Sequence, residues 1–226
     1  MNLTLYHGSE YIVKTPQHGK GSRNNDYGRG FYCTKEIDLA KEWACSRDVD
    51  GYANSYQMET DGLRVLHLND GNYNILNWLA ILANNRTYWE KSTISEEAKN
   101  YLKENFLVDL TGYDIIIGYR ANDSYFSFAQ SFVSNALSLR QLSEAMRLGK
   151  LGEQTVLKSQ KAFSRLLFTG AEKADRETWF SRKTERDREA RKAYRRQIRE
   201  RTNANDLFML DIMREGIKNG DARLFL

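Results

Sequence analysis

The sequence predicts an α+β fold, and three observations carry that prediction. Strand-like segments open and close the first 171 residues with helical periodicity between them, strict strand-helix alternation is absent, and 226 residues allow one substantial core with an appendage. Residues 3–7 alternate as a first strand, a glycine-rich loop occupies 19–30, and 31–34 read as a second strand. Helical spacing over 37–47 comes from Leu39, Ala40, Trp43 and Ala44, with Asp38 and Glu42 turned outward. Strands are expected at 52–58 and 63–68, the second with half-buried alternation. Asn72 is positioned to cap a helix over 73–84, and Ser95-Glu96-Glu97 begins another that reaches Phe106. The β-branched run at 113–118 reads as a buried strand, followed by short helices at 126–136 and 138–148 and strands at 153–158 and 165–170.

Beyond that point the composition changes. Residues 172–201 carry an excess of five positive charges, while the whole chain carries four, so the basic character sits in one element. Without Gly or Pro and with many helix formers, it reads as a long exposed helix stabilised by pairs of Glu185 with Arg182 and Arg188 and of Glu189 with Arg186 and Lys192. An amphipathic helix over 205–219 follows. The expected organisation is a catalytic domain at 1–171 and a basic helical tail at 172–226.

Composition excludes several function classes. Cys33 and Cys45 form no metal-type pair and no disulfide framework, so two free thiols in a reducing compartment are expected. The start lacks a basic region followed by a long apolar stretch, and the apolar run at 78–83 is too short for a bilayer; a cytoplasmic protein with no membrane contact is expected. His7, His18 and His67 share no ligand spacing, so no metal is expected. Gly28 and Gly30 lack the third glycine of a dinucleotide fingerprint, Cys33 standing in its place, and no phosphate-binding loop or serine-nucleophile elbow occurs.

His7-Gly8 at the end of a strand and Gly28-Arg29-Gly30-Phe31-Tyr32 entering another are each ordinary features taken singly. In this order, with His7-Gly8-Ser9 followed by Gly28 to Tyr32 and then by Trp43 on a helix, they resemble the ADP-ribosyltransferase superfamily in its diphtheria-toxin-like and poly(ADP-ribose)-polymerase-like branch, marked by a His, Tyr, Glu trio. The chain is also similar to an uncharacterised bacterial family of PARP-like domains encoded beside small antitoxin-like partners. The specific match covers residues 1–45, and Ala40 stands where the polymerases often have a serine.

The resemblance implies a split β-sheet core with inserted helices and a site for NAD⁺ as substrate. His7, Tyr32 and Glu153 would be catalytic, and His7, Gly8, Ser9, Arg23, Gly30, Tyr32 and Trp43 would bind the dinucleotide. The chemistry suits those types. Two aromatic faces, Tyr32 and Trp43, would sandwich the cationic nicotinamide ring, Gly8 would let backbone approach the carboxamide, and His7 would bond the adenosine ribose. A carboxylate on the nicotinamide ribose would stabilise an oxocarbenium-like transition state. Glu153 is the candidate, in Gly152-Glu153-Gln154-Thr155-Val156; a slip of one residue would turn Gln154 inward instead, and Glu172 is a third option. Arg23 and Asp26 are candidates for contacting the phosphates and holding the glycine-rich loop. The basic segment, with Trp179, Phe180 and Tyr194 interleaved, favours RNA or DNA over protein as the acceptor of ADP-ribose. A toxin of a toxin-antitoxin or phage-defence module, neutralised by a small partner, is the expected setting. An NAD⁺ glycohydrolase and an inactive NAD- or nucleic-acid-binding module are the competing expectations.

Overall fold

A computed structural model describes residues 2–89, 91–121, 123–148, 152–197 and 203–225. In chain order the elements are β1 (Asn2–Ser9), β2 (Phe31–Cys33), α1 (Ile37–Ala44), β3 (Gly51–Glu59), β4 (Val65–His67), α2 (Ile75–Asn85), α3 (Thr93–Phe106), β5 (Ile115–Tyr119), α4 (Asp123–Val133), α5 (Leu139–Ala145), β6 (Glu153–Leu157), α6 (Gln160–Ser164), β7 (Leu166–Ala174), α7 (Arg176–Gln197) and α8 (Met209–Arg214). The fold is α+β with two open sheets, one in the order β1-β3-β7 and one in the order β2-β6-β5-β4. One bridge, Tyr6 with Thr34, links them, each amide donating to the other residue's carbonyl at 2.8 and 2.9 Å.

Strand alternation sorts the core into two layers. Ile115, Ile117, Leu157 and Cys33 of the four-stranded sheet meet Leu5 and Met58 of the three-stranded sheet. The intervening Ile116, Val156 and Leu66 point the other way, under Trp78, Leu79, Phe128 and Phe132 of α2 and α4. Each such fully buried large side chain stabilises the fold by about 1.5–3 kcal/mol. A shift of one residue along β6 would exchange its two packed faces, moving Val156 and Leu157 out of their separate layers, and packing fixes the register.

The expected elements are present with shifted ends. The α2 cap is Asn74 rather than Asn72: its side chain accepts from the Leu76 amide, while the Asn77 side chain accepts from the Asn74 amide. Ser92 caps α3 and starts it ahead of Ser95. The short α6, absent from the sequence expectation, begins at the Ser159 cap.

The boundary at 171/172 does not hold. It falls inside β7, where Ala171 to Ala174 pair with Asn54 to Gly51 of β3, so α7 starts only at Arg176. Nor is the tail an appendage. Met209, Ile212, Ile217 and Leu224 are buried in the main core, Tyr194 stacks on Phe128 at 4.1 Å, and Trp179 and Phe180 pack against Ala44 and Ala174. Two arginines expected to pair along α7 reach across to α1 instead: Arg186 to Glu42 at 2.6 Å and Arg182 to Asp38 at 3.6 Å. Arg188 and Lys192 keep their pairs with Glu185 and Glu189.

Candidate functional site

Three elements of the N-terminal region deliver His7, Tyr32 and Trp43 to the wall of one cavity of about 710 Å³. Close packing of α1 on β1 sets their spacing. Gly8 lies against the backbone of α1, where a Cβ would strike the Ala40 carbonyl and the Ala44 amide, so only glycine lets the helix approach and carry Trp43 beside His7. Gly30 serves likewise against Val156 and Leu157 of β6. Lys158 Nζ donates to the carbonyls of Tyr27 and Arg29 and holds the loop before β2 from behind.

His7 Nδ1 lies 2.7 Å from the Tyr32 carbonyl oxygen. A carbonyl accepts only, so Nδ1 carries the proton and Nε2 is left as an acceptor. Burial lowers the His7 pKa from its ordinary 6.5, against the smaller opposing effect of that hydrogen bond, which keeps the ring neutral at neutral pH. The ring also packs on Phe31 at 4.3 Å between centroids. Tyr32 donates its hydroxyl to the Gly28 carbonyl at 2.6 Å and accepts from the Tyr27 amide at 3.1 Å, and burial pushes its pKa up. With both hydroxyl roles committed, the phenol is fixed and offers its ring. The Trp43 indole N–H is buried without a partner among the described residues, and the Arg120 guanidinium lies over the indole at 3.8 Å.

The opposite wall centres on Asp26, which is 4% exposed. Its Oδ1 takes Arg86 Nε at 2.8 Å, and its Oδ2 takes the Ala121 amide at 2.8 Å and Gln154 Nε2 at 2.9 Å. Gln154 Nε2 also donates to the Tyr119 carbonyl at 3.0 Å. Both amide hydrogens of Gln154, a lining residue of the cavity, are thus used, which fixes the orientation of the group and leaves Oε1 free to accept. This carboxylate is held by a charge pair and two further donors, the condition under which a buried ion is stable.

The third wall comes from α7, through Lys183 and Asp187. The Arg186–Glu42 pair fastens α7 to α1 beside it, Glu42 being 2% exposed. Burial raises the Glu42 carboxyl, and Arg186 offsets part of that rise.

The structure separates the expected residues into two groups. His7, Gly30, Tyr32 and Trp43 come together. Gly8 does not line the cavity and acts through packing of α1, while Ser9 donates to the Tyr11 carbonyl at 2.7 Å and accepts from buried Asn54 at 3.0 Å, shaping the loop. Arg23 lies in a different cleft, with Arg29, Lys103 and Asp109. Glu153 also lies elsewhere: its Oε1 accepts from His67 Nε2 at 2.8 Å and Asn69 Nδ2 at 2.9 Å on the other side of β6. The register that buries Val156 and Ile116 together turns Gln154 to the cavity and Glu153 away from it. Glu172 is on β7, paired with Lys41 at 2.7 Å. Asp26 lies in the cavity wall, its carboxylate taken up by Arg86, the Ala121 amide and Gln154.

Lys20, Arg86, Lys183 and Asp187 are among the lining residues that no local pattern marked. Arg120 lies in the polar and aromatic segment 119–126 after the buried strand, which the sequence offers as a substrate edge, and Arg86 follows a helix end, places from which side chains reach clefts.

Burial raises the Cys33 and Cys45 thiols, so neither is a thiolate nucleophile at neutral pH. Among the described residues no group of three His, Cys, Asp or Glu side chains is arranged to hold a metal ion, and no helix is long and apolar enough to cross a membrane. Comparison with curated proteins gave no match, and comparison with solved structures gave none. Residues 3–168 match the model of a family described as Protein of unknown function (DUF3990), a span that ends before α7 and α8. Since that match covers well over half of the chain, the protein belongs to this family.

Proposed function

We propose that the protein is an NAD⁺-dependent ADP-ribosyltransferase whose two sheets form the split core of that superfamily and whose reaction takes place in the cavity between His7, Tyr32, Trp43 and Gln154. The observation that carries this reading is the convergence of those four side chains, from β1, β2, α1 and β6, on one cavity of about 710 Å³. That volume falls in the range of roughly 300–1,000 Å³ usual for ligand sites.

Each group has a task that its surroundings suit. The neutral His7 ring, with Nε2 an acceptor, takes a ribose hydroxyl. Tyr32 and Trp43 supply aromatic faces for nicotinamide; Arg120 covers the indole at 3.8 Å, so a ring stacked there displaces one planar cation with another. Gln154 Oε1 accepts from the nicotinamide-ribose hydroxyl in the role expected of Glu153, and the Asp26 carboxylate behind it holds the Gln154 amide in that orientation. The glycosidic C–N bond breaks with its electron pair passing to nicotinamide, the acceptor's nucleophilic atom bonds to the ribose carbon, and the acceptor's proton leaves to solvent.

The acceptor in this reading is a macromolecule, nucleic acid ahead of protein. Arg182, Arg188, Arg191, Lys192, Arg195 and Arg196 are exposed on α7, the helix that walls the cavity. A toxin neutralised by a small partner rests on the sequence resemblance alone. Incubation with NAD⁺ labelled in its adenylate, together with total cell extract, tests the reading: label made soluble by nuclease is expected. Label released only by protease would move the acceptor to protein, free labelled ADP-ribose would indicate a glycohydrolase, and intact NAD⁺ would refute the reading.

A further inference from the structure

The cavity is lined by four cationic side chains, Lys20, Arg86, Arg120 and Lys183, against two carboxylates, Asp26 and Asp187. Arg86 and Asp26 neutralise each other at 2.7 Å. Of the rest, Lys20, Arg120 and Lys183 make no side-chain hydrogen bond or ion pair among the described residues. Arg120 is the most telling. Its guanidinium carries five donors in a fixed fork, yet it lies on an indole face that offers no acceptor, and burial pulls its pKa down to about 10. It stays charged at neutral pH. Asp26, Asp187 and Glu42 act on it through space, which holds the charge in place without satisfying its donors. A partly buried cation with idle donors beside two unpaired lysines is a site for an anion rather than a source of stability.

We propose that Arg120, Lys183 and Lys20 form a diphosphate subsite in this cavity, which makes α7 a part of the substrate site. The proposal rests on the NAD⁺ reading for the identity of the whole ligand. The net of two positive charges on the lining matches the two negative charges of a diphosphate ester, and a forked guanidinium suits bidentate contact with phosphate oxygens. The subsite takes over the phosphate role expected of Arg23, which lies in another cleft. It also places a substrate contact outside the span that matches the family model, since Lys183 follows residue 168.

Calorimetric titration of the full chain with sodium pyrophosphate tests this, using wild type, Arg120→Gln, Lys183→Gln and the control Arg165→Gln. Arg165 is exposed, paired with Glu59 and absent from the cavity wall. Affinity is expected to fall at least about tenfold in each of the first two variants and to stay unchanged in the control. Lys183 lies on the outer helix, so Lys183→Gln is informative even if Arg120→Gln melts early. Failure of the wild type to bind pyrophosphate, or an equal loss in Arg165→Gln, overturns the subsite. A separate readout distinguishes this from failure of the NAD⁺ reading. If the wild type releases nicotinamide and both variants keep its KM for NAD⁺, the subsite falls and the NAD⁺ reading stands; if pyrophosphate binding depends on Arg120 and Lys183 but no nicotinamide is released, the reverse holds.

Discussion

The cavity wall built from residues 7–43 and the wall opposite it are made in different ways. His7, Gly30, Tyr32 and Trp43 come from consecutive elements, and glycines at 8 and 30 set their spacing by letting backbone approach backbone. Asp26, Arg86 and Gln154 come from widely separated points of the chain, and hydrogen bonds and charge hold them. The first wall is a matter of packing geometry, the second of paired polar groups. Damage to each should therefore differ in size and kind.

The largest loss is expected from the centre of the polar wall. Asp26→Ala leaves the Arg86 guanidinium without its buried partner and frees the amides of Ala121 and Gln154, a change of about 3–5 kcal/mol. For a chain of this size that lowers Tm by on the order of 10 °C, measurable by calorimetry. A shift of under about 1 kcal/mol would mean that the two walls are held alike. In the packed wall, Gly8→Ala pushes α1 from β1 and costs about 1–3 kcal/mol, read as a lower urea midpoint. An unchanged midpoint would remove the packing account of Gly8.

A smaller effect depends on pH. The folded-state pKa of His7 is lowered from 6.5, so between that lowered value and 6.5 the unfolded chain binds a proton that the folded chain does not. Stability therefore falls as pH drops through 6.5 and levels off below the folded value. In His7→Gln this part of the acid slope is expected to disappear; a slope equal to wild type would show that His7 titrates normally in the fold.

The contrast also explains what could be read from the sequence. Local pattern located β1, β2, α1 and β5 because alternation and helical spacing are short-range properties, while His7, Tyr32 and Trp43 on them were singled out by the resemblance alone. It did not locate α6, a helix of five residues with too few turns to show a period. The choice between Glu153 and Gln154 was illegible for a different reason. Both flank an apolar strand, and only the packing of Val156 and Ile116 beneath α2 and α4 decides which of the two faces the cavity. The same holds for α7: its charge suggested a solvated helix, but Ala190 and Tyr194 lie on a packed side, and Glu42 on α1 draws Arg186 across.

Those two neighbours on β6 give the most direct measurement. Nicotinamide release from NAD⁺ is to be followed for wild type, Gln154→Ala and Glu153→Ala, with melting curves to confirm that each is folded. The cavity geometry predicts a fall of about a hundredfold in kcat for Gln154→Ala, the size seen when a preorganised group at a reacting centre is removed, and a change within about threefold for Glu153→Ala. Loss of activity in Glu153→Ala with Gln154→Ala still active would contradict the assignment of the cavity as the site of the reaction.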